Sequence, residues 1–314
     1  MDTPLTWVVG AGGLLGSSTV KAFGAAPLWS PGRVVPWLQP HAGTVVTDLT
    51  REFLRAAGDR PWQVAWCAGA GVTGSTEQDL AREASVLDAL FEGLGDASSP
   101  GALFLASSAG GVYAGSHGAP FTELSTPAPI SPYGVAKLDL ERRATAFSTE
   151  SGVSLLVGRI SNLYGPGQDL AKPQGLISQI CRNHLIGQPI SIFVPMDTLR
   201  DYLFADDCGA LVVDGLARLR AETVRTGPGV HTKVLAAQQG VTIGQLIAEL
   251  RRLVKRAPRV VHGSSATSRY QARDLRMRSL VWPELDRRTL TTLPSGIHRT
   301  LLGQLRQLQE AALV

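Results

Sequence analysis

Cysteine is scarce in this chain: Cys67, Cys181 and Cys208 are the only three in 314 residues. Their spacing matches no metal-ligand or disulfide framework, and an odd count in a chain of this length favours a reducing compartment. Aromatic residues make up 6% and are not interleaved with the basic clusters, so nucleic acid is not an expected partner. No apolar run approaches the length of about eighteen residues that a membrane span needs. The N-terminus carries no basic segment followed by an apolar stretch and a cleavage site. A soluble cytoplasmic protein without membrane association is the expectation. The histidines, His41, His117, His184, His231, His262 and His298, are scattered, and no metal site is expected.

What is present is a globular composition, 44% hydrophobic and 18% charged, with 34 glycines. That apolar share excludes wholesale disorder. The length suits one large α/β unit, or a dinucleotide-sized domain with a smaller companion. The net charge of +4 is modest. Part of the excess lies at Arg251, Arg252, Lys255, Arg256 and Arg259, and again from Arg269 to Arg278. These clusters suit a phosphate-bearing ligand or a solvated helix face equally.

Along the chain, short apolar runs alternate with helical patterns. Leu5 to Val9 reads as a strand that enters glycines 10, 12, 13 and 16, and Leu14 to Phe23 as a helix. The second strand falls at Ala26 to Ser30 or at Arg33 to Trp37. Val45 and Val46 lead to Asp48, with a short helix from Arg51 to Ala57. Strands at 63–68, 102–106 and 154–157 alternate with helices at 77–93 and 132–149. Further helices are expected at 176–185, 208–219, 243–255 and 297–310, with a loop from 166 to 173. The expected fold is α/β, a Rossmann-like doubly wound parallel sheet with a smaller, mostly C-terminal substrate lobe. Residues 1–170 form the dinucleotide-binding domain in this reading. Residues 171–314 form mainly the substrate lobe, with 190–220 returning to the first domain.

Gly10, Gly13 and Gly16 lie between a strand and a helix at the start of the chain. Glycine permits the tight turn and lets a pyrophosphate approach the backbone. The N–H groups of the first helical residues, Leu14 and Leu15 among them, favour an anion. This arrangement points to a nicotinamide dinucleotide. No acidic residue stands between Asp2 and Asp48 to hold an adenine-ribose hydroxyl. Ser30 and Arg33 occupy that region instead, and Arg33 could pair with a 2′-phosphate. NAD or NADP is therefore expected, with a slight preference for NADP. Asp48 could accept from the adenine amine with Leu49 beside it, and Ala68, Gly69 and Ala70 close the next strand on the cofactor side.

Tyr133 and Lys137 stand four apart at a helix start prepared by Ser131 and Pro132, so they share a face. A phenol is a poor base at neutral pH, but an adjacent ammonium favours its anion, which suits proton transfer alongside hydride movement. Lys137 could also hold ribose hydroxyls. A hydroxyl to position the substrate oxygen is available from Ser108, or from Ser107. Both close the strand 102–106, and both could equally serve only as caps.

With these residues in place, the chain resembles the extended short-chain dehydrogenase/reductases, and among them the nucleotide-sugar epimerase/dehydratase family. The likeness is carried by the glycine turn, Asp48-Leu49, SSAGGVY at 107–113, SPYGVAK at 131–137, RISNLYGPG at 159–167 and RDYLFADD at 200–207. The resemblance implies Tyr133 as acid/base, Lys137 as its electrostatic partner and Arg200 as a contact to a substrate diphosphate. It places Asn162 beside the sugar nucleotide, and makes Lys172, Gln174 and Arg269 candidates for the nucleotide end. It also implies a homodimer, paired through Leu80 to Leu90 and Leu138 to Phe147. Ala109 departs from the pattern, because many relatives carry the catalytic hydroxyl there; a shifted motif would promote Ser108. The Asp-Glu pair that dehydratases of the family use falls on Gly110 and Gly111, which disfavours dehydration.

The reading implied is an NAD(P)-dependent epimerase acting on a nucleotide-activated sugar by transient hydride abstraction and return. An NADPH-dependent ketoreductase of a nucleotide sugar or related carbonyl is the alternative. An inactive cofactor-binding or scaffold protein is a further one, to which Ala109 lends support.

Overall fold

The computed structural model describes residues 3–69, 71–72, 74–95, 97, 99–169, 175–254, 258–263 and 270–311. Its first unit is β1 (Leu5–Val9), α1 (Leu14–Phe23) and β2 (Leu28–Trp29), followed by α2 (Ala42–Ala57) and β3 (Trp62–Trp66). Next come α3 (Glu77–Leu94), β4 (Gly101–Ser108), the single turn α4 (Ala109–Val112), α5 (Pro132–Ser151), β5 (Ser154–Ile160) and β6 (Asn162–Tyr164). The remainder comprises α6 (Leu176–Leu185), β7 (Ile190–Ile192), β8 (Leu199–Phe204), α7 (Ala205–Thr226), β9 (Val230–Leu235) and β10 (Gly240–Thr242). It closes with α8 (Ile243–Leu253), β11 (Val260–His262), β12 (Asp274–Leu275) and α9 (Leu293–Ala311).

Six strands form one parallel sheet in the order β2-β1-β3-β4-β5-β9. The core strands read as continuous apolar runs because helices cover both faces. On one face α2, α3 and α5 bury Val46, Leu49, Phe53, Leu87, Leu90 and Leu140; on the other, α1 and α7 bury Leu15, Leu211, Val212 and Leu216. The chain turns to opposite sides of β1 on leaving β2 and entering β3, which opens a crevice at the carboxyl ends of the strands. A smaller group, β8 with β6, β10 and β12, packs beneath α6, α8 and α9 around Ile177, Ile180, Ile247 and Ile297.

Two expectations need correction. The second strand occupies Leu28–Trp29, within the first of the two alternatives, and 33–37 is not a strand. More consequentially, Asp48-Leu49 does not follow a strand but lies inside α2, which starts nine residues earlier than the expected helix at Arg51. Val46, Leu49, Phe53 and Ala57 recur at helical spacing and are all buried against the sheet. The Leu49 side chain is fully enclosed in that core.

The apolar stripes that suggested helix pairing between two copies are also accounted for within one chain. Leu80, Leu87, Leu90 and Leu140 are buried, and Phe91 stacks on Phe147 at 4.6 Å. The outer surface of α3 and α5 carries the ion pairs Asp88–Arg143 and Asp139–Arg143 instead.

Candidate active site

The glycine turn between β1 and α1 is built for a close approach. Gly10 adopts φ +84°. A Cβ on Gly16 would lie 2.1 Å from the Gly10 carbonyl oxygen, so α1 can start this near the strand only without a side chain. Gly13 caps α1 with no side-chain hydrogen bond, leaving the first-turn N–H groups of Leu14, Leu15 and Gly16 for an anion. The Leu15 side chain itself is in the core. Ala68 borders the turn, since a Cβ on Gly10 would meet its backbone nitrogen at 2.7 Å. Gly69 follows, and Ala70 lies outside the described residues.

Ser30 is exposed on the loop after β2. Arg33 donates to Asp48 at 3.4 Å and to Glu52 at 3.3 Å, both on α2. Its guanidinium is thus shared between two carboxylates, and Asp48 is engaged by Arg33.

Tyr133 and Lys137 occupy the first turns of α5. Ser131 accepts from the Gly134 N–H at 3.1 Å and Pro132 opens the helix, a cap that fixes where the first turn points. Lys137 is 7% exposed, with its ammonium 5.8 Å from the Tyr133 ring centre and 2.7 Å from the Glu83 carboxylate of α3. Burial pulls the Lys137 pKa down, but Glu83 and then Tyr133 more than offset this and hold the group above the ordinary lysine range. The other Glu83 oxygen accepts from the Gly71 N–H at 3.1 Å.

The two serines diverge because successive residues of a strand face opposite sides. Ser107, buried, donates to Glu141 at 2.5 Å, and Glu141 also receives Arg159, its Nη2 at 2.6 Å. Arg159 stands opposite Ser107 on the neighbouring strand and reaches the Tyr113 hydroxyl at 2.6 Å, which in turn donates to the Thr122 carbonyl. Ser107, one of the catalytic candidates, is thus buried and engaged in fastening α5 to the sheet.

Ser108 accepts from the Gly111 N–H at 3.1 Å and caps α4, leaving its own proton for another acceptor. A Cβ on Gly111 would lie 3.3 Å from the Ser108 oxygen and 3.1 Å from Cε1 of Tyr133, so the two side chains flank one glycine. Ala109 is fully buried in an apolar cluster with Val112, Tyr113, Phe121, Leu275 and Met277.

In the smaller lobe, the Asn162 amide donates to the Asp201 carbonyl at 2.9 Å, joining β6 to β8. Arg200 is 6% exposed and donates to two neutral oxygens, the Leu199 carbonyl and Gln271 Oε1. Burial lowers its pKa, with Tyr202 and Asp274 opposing. A buried cation whose acceptors are neutral is suited to an anion. Lys172, Gln174 and Arg269 lie outside the described residues. Among the described residues no group of three His, Cys, Asp or Glu side chains is placed to hold a metal, and no helix is long and apolar enough to cross a membrane.

Glu83 was not expected from the sequence, although a signal was there. It lies three residues after Leu80 and four before Leu87, on the buried stripe of α3, where a carboxylate needs a cation.

Comparison with known proteins identifies the family. The family model of the NAD-dependent epimerase/dehydratase family matches residues 6–225. An uncharacterised UDP-glucose epimerase of Bacillus subtilis, YtcB, is 31% identical over 134 residues, 42% of this chain and 41% of that protein. A dTDP-glucose 4,6-dehydratase of Salmonella typhimurium is 34% identical over 87 residues, 28% of this chain and 23% of that protein. The match thus spans less than half the length of these curated relatives. In fold, the chain is similar to a UDP-glucuronic acid 4-epimerase from Bacillus cereus solved with UDP-glucuronic acid and NAD. The TM-score is 0.76 and the identity 19%, over 97% of this chain and 99% of that one.

Proposed function

Because the chain belongs to the NAD-dependent epimerase/dehydratase family, we propose that it epimerises a nucleotide-activated sugar by removing and returning a hydride at one carbon. The observation that carries this reading is the meeting of Tyr133 and Ser108 at Gly111, at the carboxyl end of β4, with the Lys137 ammonium 5.8 Å from the Tyr133 ring centre.

The turn at Gly10–Gly16 suits a dinucleotide: it is a glycine-rich cradle with uncapped N–H groups at the start of α1. When bound there, NAD supplies a hydride acceptor and donor. The chain's own residues handle everything else. Ser108 donates a hydrogen bond to the reacting sugar oxygen. Tyr133 takes the hydroxyl proton as the carbon is oxidised to a ketone, and gives it back when the ketone is reduced on its other face. Lys137 keeps positive charge beside the phenol through both half-reactions. Arg200 takes the substrate diphosphate.

The slight preference for NADP rested on Arg33. With that guanidinium shared by Asp48 and Glu52, a 2′-phosphate would have to compete with two carboxylates, and we favour NAD. Dehydration is not favoured, although a curated relative carries that name. The acid pair that the resemblance assigns to dehydratases is replaced by Gly110 and Gly111, and a Cβ on Gly111 would sit tightly, 3.1 Å from the Tyr133 ring.

The test is a screen of UDP- and dTDP-sugars with NAD and with NADP, following both nicotinamide absorbance and sugar isomers. The expected result is interconversion of epimers with no net cofactor consumption. Stoichiometric loss of reduced cofactor would establish the ketoreductase reading instead, and cofactor binding without turnover would establish the scaffold.

A further inference from the structure

The residue that the reaction as proposed leaves without a role is Glu83. It is a carboxylate with 11% of its side chain exposed, in the middle of α3 and 54 residues from the lysine it binds. One oxygen holds Lys137 at 2.7 Å and the other holds the Gly71 N–H at 3.1 Å. The loop after β3 leaves space for this pair. A Cβ on Gly69 would lie 3.0 Å from Glu83 Oε1 and 3.2 Å from Lys137 Nζ, and one on Gly71 would lie 3.1 Å from Glu83 Oε2. Carboxylate, ammonium and the two glycines therefore fit together as one unit.

We infer that Glu83 is a positioning residue for the Tyr133–Lys137 proton relay. Its carboxylate keeps the buried lysine charged and ties the ammonium to the Gly71 N–H. This rests on the reading of Tyr133 and Lys137 as that relay.

The physical need is direct. An ammonium taken out of water loses its proton readily unless an anion faces it, and a neutral amine cannot stabilise a phenolate. The groups facing Lys137 are Glu83 from α3, Tyr133 from its own helix and, more remotely, Glu141 one turn along. Among the described residues only Glu83 touches it with a formal negative charge. The cost is that the same carboxylate offsets part of the ammonium's field at Tyr133. Charge retention wins, because without it there is no field to offset. The bond to Gly71 adds a second consequence, since the lysine's position and the loop's conformation cannot change independently.

The chain has five lysines, Lys21, Lys137, Lys172, Lys233 and Lys255, few enough for nuclear magnetic resonance of isotope-labelled lysine side chains. Lys137→Arg identifies the Lys137 signal by its loss. In the wild-type protein that signal should titrate above the ordinary lysine range. In Glu83→Gln, which keeps the shape and removes the charge, the midpoint should fall by about one pH unit or more. Glu83→Asp, which keeps the charge, should stay close to wild type.

Activity should follow the same order. Glu83→Gln should lose turnover on the alkaline side at a lower pH than wild type and raise the KM for the cofactor, and Glu83→Asp should restore the alkaline limb. A Lys137 midpoint unchanged in Glu83→Gln would overturn the inference. So would a wild-type Lys137 that titrates below the ordinary range, a result that requires no variant to fold. If the wild type turns over no nucleotide sugar, the proposed function fails, and the lysine titration still decides the role of Glu83.

Discussion

Lys137 and Glu141 lie one turn apart on α5, and each is buried in an ion pair, but the two pairs differ in how fully they are satisfied. Around Glu141 both oxygens are occupied, by Ser107 and by three contacts from Arg159, while a further nitrogen of Arg159 meets the Tyr113 hydroxyl. Burial opposes the charge on Arg159, and Glu141 more than restores it, so its pKa stands above the usual range. Lys137 makes one carboxylate contact with three N–H groups to give. A saturated network fastens a helix to a sheet; a pair with donors to spare, beside a glycine loop, can serve a ligand. The position along α5 decides which, because the helix start lies at the carboxyl ends of the strands and Glu141 lies deeper against β4 and β5.

The sharpest way to break this comparison is to remove one partner from each pair. Arg159→Met leaves Glu141 buried without its cation and should cost about 3–5 kcal/mol of stability, read by denaturant unfolding. The turnover of the molecules that remain folded should change little. A large fall in turnover with stability intact would mean that the inner network belongs to the site.

The two serines divide in the same way. Ser108→Ala should lower kcat roughly a hundredfold with little loss of stability beyond the α4 cap. Ser107→Ala should lower stability by about 1–2 kcal/mol and leave kcat near wild type. The reverse pattern would exchange their roles.

The smallest effect belongs to the outer surface of the same helix. Arg143 holds the Asp139 carboxyl below its ordinary range, burial opposes this, and Arg142 assists. A depressed acid adds stability above its unfolded value, and that stability is lost as pH falls through the folded value. Asp139→Asn should cost about 0.5 kcal/mol at neutral pH. The cost should shrink in acid and in high salt, as measured by unfolding at two pH values and two salt concentrations.

The parts of the fold legible in the sequence are those that local pattern dictates. The strand–turn–helix at Leu5–Phe23, the apolar strands β3 to β5 and the Tyr133–Lys137 face of α5 all follow from periodicity and capping. Asp48-Leu49 was misplaced because a two-residue likeness outweighed the helical spacing of Val46, Leu49, Phe53 and Ala57. Ser107 could not be separated from Ser108 without knowing which face of β4 receives α5. Glu83 and Glu141 meet their partners across long stretches of chain, a relation that no local window contains. The smaller lobe was less legible because side chains bonded to irregular backbone organise much of it. Asp201 of β8 accepts from the backbone of Ala237 and Gln239. Such bonds leave no periodicity to read.

The central claim is that the Tyr133 phenol moves the proton while hydride moves. The most direct measurement is a single-turnover experiment with NAD-loaded wild type and Tyr133→Phe, mixed with a nucleotide sugar that the wild type turns over. Absorbance of reduced nicotinamide and cofactor affinity are followed in both. The account predicts that Tyr133→Phe binds NAD as wild type does but transfers hydride about a thousandfold more slowly; hydride transfer at the wild-type rate would contradict it.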